Sequence, residues 1–266
     1  MPLSTETTPF SLKTVVPADF PAMAEMCGLA FEDDRHTMLK AAHPTKPYDH
    51  AAGMGGAFEY WTSRPGGRLE LTKAVDDATG EILGFVCWGI SLDKVVSNTD
   101  STDPEQTITT ASSQKDAETN LGKPKLFVSA DDILEPDSSL DPLEQLEEFT
   151  SSHLAAFEER FQDARCMYVI TITVHPKHQG RGVGPALIKR GTDRADSEAV
   201  LCWVHSSEAG VHTYQKCGFE EDNTLEVDLD SWAQKMNITA PVGEDKWGTY
   251  NFRYMVRQPN ATSRST

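Results

Sequence analysis

Residues 171–191 read TITVHPKHQGRGVGPALIKRG, and this stretch decides the fold. An apolar run with the alternation of a strand, residues 166–174, stops at His175-Pro176. A basic, glycine-rich turn follows, and a helical pattern then runs over residues 182–196. The first N–H groups of a helix lack intrahelical partners, and the helix dipole adds partial positive charge there. Gly180, Gly182 and Gly184 let the backbone close around an anion with no Cβ in the way. Pro185 suits a first helical turn, where its missing N–H costs nothing. Pro185 also stands where a dinucleotide G-x-G-x-x-G would place its last glycine, and the G-x-x-x-x-G-K-[ST] phosphate loop is absent. No hydroxyl is placed for a Mg²⁺ ion, so the turn suits one diphosphate rather than a metal-bound triphosphate. Glycines that merely let strand and helix pack closely are the other reading of the same pattern.

The 266 residues suffice for one core, read as a single domain over 1–266. The formal net charge of −17 argues against a nucleic-acid surface, which needs clustered Lys and Arg. It is compatible with a cationic partner, an amine or a basic peptide, and equally with a plain soluble surface. The longest apolar run, ILGFVCWGI, is too short for a bilayer, so no membrane partner is expected. MPLSTETTPF has neither the basic nor the apolar segment of a secretory signal. Cys27, Cys87, Cys166, Cys202 and Cys217 are odd in number and form no C-x-x-C pair. Free thiols in a reducing compartment follow, the cytoplasm or the nucleus.

Along the chain, residues 10–16 read as a strand, and Phe20, Met23, Met26 and Phe31 mark a helix. A second helix is predicted over 50–62, and 68–92 reads as a hairpin around ATGE. Residues 93–126 are rich in Ser, Thr, Asp and Gln, too polar to offset ordering entropy, and are expected to be a mobile insertion. Asp141-Pro142 opens an amphipathic helix within 139–163. After the strand 166–174 and its helix come a strand at 199–205 and a short helix at 207–216, with Gly218 as left-handed cap. Alternation returns at 219–229 and 247–257, and 258–266 reads as a flexible tail.

Gln179-Gly180-Arg181-Gly182-Val183-Gly184 resembles the Q/R-x-x-G-x-G/A signature of the GCN5-related N-acetyltransferases (GNAT). Upstream, Val174-His175-Pro176 looks like the family's V-x-P. Downstream, Ser207-x-x-Gly210-x-x-x-Tyr214-x-Lys216-x-Gly218-Phe219 is similar to its N-x-x-A-x-x-x-Y-x-K-x-G-F. HPKHQGRG and the tryptophan-bearing strand before SSEAG resemble the fungal-type branch. The resemblance implies an α/β (α+β) GNAT fold. Its central sheet is mixed, mostly antiparallel, with about six or seven strands flanked by helices, and splayed parallel strands hold the cofactor. It implies acetyl-CoA as cofactor, the diphosphate on the amides of Gln179, Gly180, Arg181, Gly182, Val183 and Gly184 with Pro185 beside them. The pantetheine arm would lie along Ile172, Thr173 and Val174, near Ser207, Gly210 and Tyr214.

Such an enzyme moves an acetyl group directly to a primary amine. It needs a proton acceptor for the amine, a donor for the developing oxyanion and a proton for the leaving thiolate. Tyr214 matches the family's thiolate partner, and a backbone N–H near Val174 the oxyanion donor. Many relatives carry a glutamate on the strand before the turn, but CMYVITITV has no carboxylate, so His175 and His205 become the candidate bases. Gly210 is expected in mid-helix, at about 1 kcal/mol relative to Ala. Cys202 and Cys217 sit in apolar settings unlike an activated thiolate, and His175-x-x-His178 is too little for zinc, so no metal is expected. The family's acceptor pocket maps to residues 31–65, with Phe31, Tyr60 and Trp61 as substrate contacts. A small-molecule amine is the first expectation. A protein N-terminus or lysine, and a non-catalytic acyl-CoA-binding module, are the alternatives. The family's habit of pairing adds a homodimer.

Overall fold

The computed structural model describes residues 9–63, 68–91 and 137–260. The expected insertion at 93–126 and the last six residues of the tail lie outside them. Seven strands form one sheet: β1 Phe10–Thr14, β2 Leu69–Asp76, β3 Ile82–Ser91, β4 Cys166–Val174, β5 Leu201–Ser206, β6 Glu220–Asp228 and β7 Thr249–Arg257. Their spatial order is β1-β2-β3-β4-β5-β7-β6. Every neighbouring pair is antiparallel except β4 and β5, which are joined by α5 (Val183–Glu198), the crossover that parallel strands require. Helices α1 Phe20–Ala30, α2 Arg35–Ala41 and α3 His50–Thr62 lie between β1 and β2, and α4 Pro142–Glu159 precedes β4. Two further helices, α6 Val211–Lys216 and α7 Leu229–Met236, flank β6. This is the mixed, helix-flanked GNAT fold.

The sheet departs from regularity at one place. β4 and β5 pair from Cys166↔Leu201 to Val169↔Val204 and no further, although β4 runs on to Val174. On its other edge β4 changes register against β3, from Cys87↔Thr171 to Trp88↔Val169, leaving Ile170 as the extra residue. A bulge bends its strand and sharpens the twist. Beyond it β4 stays with β3, while β5 continues along β7 through His205↔Tyr254 and Ser206↔Arg253. The two parallel strands therefore part, and a gap opens between them.

α5 covers this region of the sheet with Val183, Leu187, Ile188 and Ala195, a three-and-four spacing that puts one stripe on the core. Its approach is very close. A Cβ at Gly191 would lie 2.1 Å from Cε2 of the buried Trp88, so the indole takes the space a side chain would need. On the opposite face Trp203, Tyr250 and Tyr254 pack beneath α4 and α7. Phe58 of α3 meets Phe85 edge-on below α1, at 5.4 Å between centroids.

Two helices escape the sequence pattern. α2 and α7 are too short to display a period, and each is fixed by an aspartate cap instead. Asp34 accepts from Thr37 N at 2.9 Å, and Asp228 ends β6 and accepts from Asp230 N and Ser231 N.

Two glycine substitutions test the closeness of α5. Gly191→Ala forces atoms into Trp88 and should cost roughly 1–3 kcal/mol. Gly56→Ala, inside α3 with open space around its Cβ, should be neutral or gain up to about 1 kcal/mol. Urea denaturation reads both, and equal effects would contradict the packing described.

Candidate active site

The glycine turn sits at the mouth of the gap. β4 ends at Val174, and the His175 ring accepts from Lys177 N at 3.2 Å, capping a single turn of 3₁₀ helix at Pro176–His178. Gly180 and Gly182 then take φ of +75° and +82°, a left-handed backbone that favours glycine. A Cβ on either would meet no protein atom within 4 Å, so the conformation, not crowding by the chain, requires these two glycines. The first bond into α5 is Ala186 N to Gly182 O, at 3.1 Å. Among the described residues, no acceptor takes the amides of Gly180, Arg181, Gly182, Val183 or Gly184. Consecutive unclaimed N–H groups at the start of a sixteen-residue helix make an anion seat.

These amides border a cavity of about 430 Å³ that follows the gap. Ile172, Thr173 and Val174 form one wall; Ser207, Gly210 and Tyr214 form the other; Gln179, Gly180, Gly182, Val183, Gly184 and Pro185 form the floor. Of the residues the sequence assigned to the cofactor, Arg181 alone stands aside. Its Nη1 donates to His178 Nδ1 at 2.8 Å, which leaves Nε2–H of the same ring to donate to Glu81 at 3.1 Å. That bond holds the Glu81 carboxyl below its ordinary range.

Gly210 is not in mid-helix. It caps α6, and a Cβ there would come 2.7 Å from Ser206 Oγ and 3.2 Å from the Tyr214 ring, so packing at the cap accounts for it. Tyr214 is buried, and burial pushes its phenol well up, so it stays protonated at neutral pH. No described residue accepts from its hydroxyl. Burial likewise pushes the Cys202 thiol up to about 12 and raises that of Cys217, so neither is a ready nucleophile. Among the described residues, no group of three or more His, Cys, Asp or Glu is placed to hold a metal ion.

A second cavity of about 330 Å³ shares Phe31, Asp34 and Ser207 with the first. Asp34 is the residue the sequence reading missed. Its Oδ1 caps α2, its Oδ2 accepts from Tyr250 OH at 2.5 Å, and it lines both cavities. An aspartate before a seven-residue helix carries no pattern beyond that of a cap, so only the fold reveals where it points. Its neighbour Arg35 bonds Glu208 at 2.8 Å and the carbonyls of Trp247 and Thr249 at 2.8 and 3.0 Å, tying the start of α2 across the site to the segment after β5.

The other expected site residues fall variously. Phe31 lines both cavities, but Tyr60 is 53% exposed and Trp61 packs on Phe58, and neither lines a cavity. His175 is taken up with capping and lines neither. His205 lines the second cavity, between the rings of Phe252 and Tyr254. Burial, aided by His153 and His36, lowers its pKa to about 3, and burial with Lys40 lowers that of His36 to about 4. A group so reluctant to hold a proton is a poor base at neutral pH.

The model of the Acetyltransferase (GNAT) family matches residues 149–219, from within α4 to the end of the Tyr214 motif. Solved structures share the fold across nearly the whole chain. One is described as an arylalkylamine N-acetyltransferase 7 of the yellow fever mosquito Aedes aegypti, 14% identical, with TM-score 0.53 over 94% of this chain and 87% of that one. Another is a mosquito arylalkylamine N-acetyltransferase like 5b, 12% identical, with TM-score 0.53 over 94% of this chain and 100% of that one. No curated protein sequence matches. The chain thus carries a GNAT-family segment set in a GNAT fold.

The buried imidazoles fix a pH dependence of stability. Unfolded, His36 and His205 titrate near the ordinary 6.5; folded, they hold protons only near 4 and 3. Between those limits the unfolded chain binds more protons, so stability is full above about pH 6.5 and falls as pH drops toward 4. The urea midpoint should be lower at pH 5 than at pH 7.5, and His205→Phe should shrink the difference; a flat profile would refute the burial.

Proposed function

We propose that the chain is an acetyl-CoA-dependent N-acetyltransferase acting on a primary amine, first of all that of a small molecule. One observation carries the reading: five successive amides, Gly180 to Gly184, find no described protein acceptor where two parallel strands part. Negative diphosphate oxygens satisfy such donors, and the unpaired edge of β4 from Ile170 to Val174 offers peptide groups to an amide-bearing arm. Acetyl-CoA has both parts, and it supplies an acetyl group activated as a thioester.

The chain supplies the rest. Transfer forms an N–C bond and breaks the C–S bond. Asp34, at the junction of the two cavities, takes the proton the amine sheds, directly or through water. Tyr214, kept protonated by burial, gives one to the departing sulfur and recovers it from solvent. The free N–H groups on the β4 edge near Val174 face the carbonyl oxygen as it gains charge. Asp34 thus takes the role first sought in His175 and His205. The HPKHQGRG spacing supports the fungal-type branch, and the free cysteines fit a reducing compartment such as the cytoplasm. The net charge of −17 favours a second reading in which the amine belongs to a basic peptide.

Calorimetry and a thiol-release assay test the proposal together. Gly182→Val, strained at positive φ, should weaken acetyl-CoA binding about tenfold or more. Tyr214→Phe and Asp34→Asn should each lower kcat by about 10²-fold with cofactor affinity little changed. Tight acetyl-CoA binding with no thiol release for any amine would leave only a binding module.

A further inference from the structure

The second cavity has a chemistry of its own, and the inference drawn from it rests on reading the first as the acetyl donor's site. Its charges are few. Asp34 is the one carboxylate among the described residues that line it. The one lining lysine, Lys40, is held by Glu147 at 2.8 Å and lies 3.9 Å from the centre of the Tyr48 ring. The three lining imidazoles, His36, His50 and His205, all have lowered pKa values with burial as the first cause, so they are neutral at pH 7. One ammonium finds a counter-charge here. A second would meet Lys40 and no carboxylate, and a buried unpaired charge is costly.

The wall opposite α4 is made of rings. Tyr250 and Phe252 follow one another on the same face of β7, 4.8 Å apart edge to face. His36 meets Phe252 at 5.0 Å and His205 meets it at 4.5 Å, so two imidazoles flank one phenyl ring. Flat apolar faces of this kind receive a flat ring in offset or edge contact. Both imidazoles also carry a defect. His36 Nε2 and His205 Nε2 are buried with no hydrogen-bond partner. Each unpaired buried polar atom costs on the order of 1–3 kcal/mol, and two beside one cavity ask for a common explanation. A neutral imidazole can donate at one nitrogen and accept at the other, and a hydroxyl does both, so a hydroxyl suits either tautomer. A carboxylate would be repelled by Asp34.

We propose that this cavity takes a monoamine whose body is a flat ring bearing a hydroxyl group. The ammonium lies at Asp34, the ring against Tyr250 and Phe252, and the hydroxyl on the side of His36 and His205.

Tyramine, 2-phenylethylamine, 2-cyclohexylethylamine and putrescine separate the elements of the claim. With wild-type enzyme and acetyl-CoA, kcat/KM should fall in that order. Tyramine should exceed 2-phenylethylamine by about tenfold, the worth of one hydrogen bond, and putrescine by more. His36→Phe and His205→Phe should each lower kcat/KM for tyramine about tenfold more than for 2-phenylethylamine, a ratio that a general loss of folding would not move. Putrescine or a lysine-bearing peptide acetylated as well as tyramine would overturn the inference and leave the transferase reading intact. So would a hydroxyl that brings no advantage. Calorimetry of the same amines against the CoA-loaded protein covers the converse. Tyramine bound in preference to the others without thiol release would sink the transfer reading and support the cavity assignment; no ring amine bound at all would overturn the assignment.

Discussion

The structure depends on one departure from pairing. β4 and β5 share a parallel ladder only as far as Val169 and Val204, and the extra residue Ile170 bends β4 away just there. A parallel pair that stayed closed would satisfy its own peptide groups and leave no space. Because it opens, one side of β4 faces a gap, and the turn that leaves β4 presents its amides to the end of that gap rather than to protein. The left-handed glycines 180 and 182 aim the turn, and α5 holds it by packing on the sheet so closely that Trp88 occupies the place of a Cβ at Gly191.

The second consequence of the opening is a meeting of distant segments. Phe31 and Asp34 come from the link between α1 and α2, Ser207 from the end of β5, and Tyr250 and Phe252 from β7. Arg35 ties three of these together through Glu208 and the carbonyls of Trp247 and Thr249. α4 contributes Thr150, Ser151 and Leu154 to the same cavity and is anchored through His153 Nδ1 on Tyr254 OH at 2.9 Å. The helix expected to sit apart as an insertion is thus a wall of the second cavity.

What could be read from the sequence followed the range of the signal. The strand, glycine turn and helix at 166–196 are contiguous, so composition and period revealed both the elements and the residues that line the groove. The hairpin 68–92 and the helix 50–62 were legible for the same reason, as was Gly218, found at φ +86°. α2 and α7 were not, because seven or eight residues show no period and their ends are set by single aspartates. Gly210 looked like a helix interior only because the turn that precedes α6 has no marker of its own. The role of Asp34 was hidden for a deeper reason. Its partner Tyr250 lies 216 positions away, and only the closed sheet brings them together. His205 was named from its place at a strand end, but the rings that bury it come from a strand almost fifty residues later.

The central claim, that the free amides of the turn seat the diphosphate of acetyl-CoA, is tested most directly by amide hydrogen exchange resolved to residues 180–184, with and without the cofactor. Fast exchange in the free chain and strong protection of these amides on adding acetyl-CoA is the result expected. Slow exchange in the free chain, or exchange that saturating acetyl-CoA leaves unchanged, would contradict it.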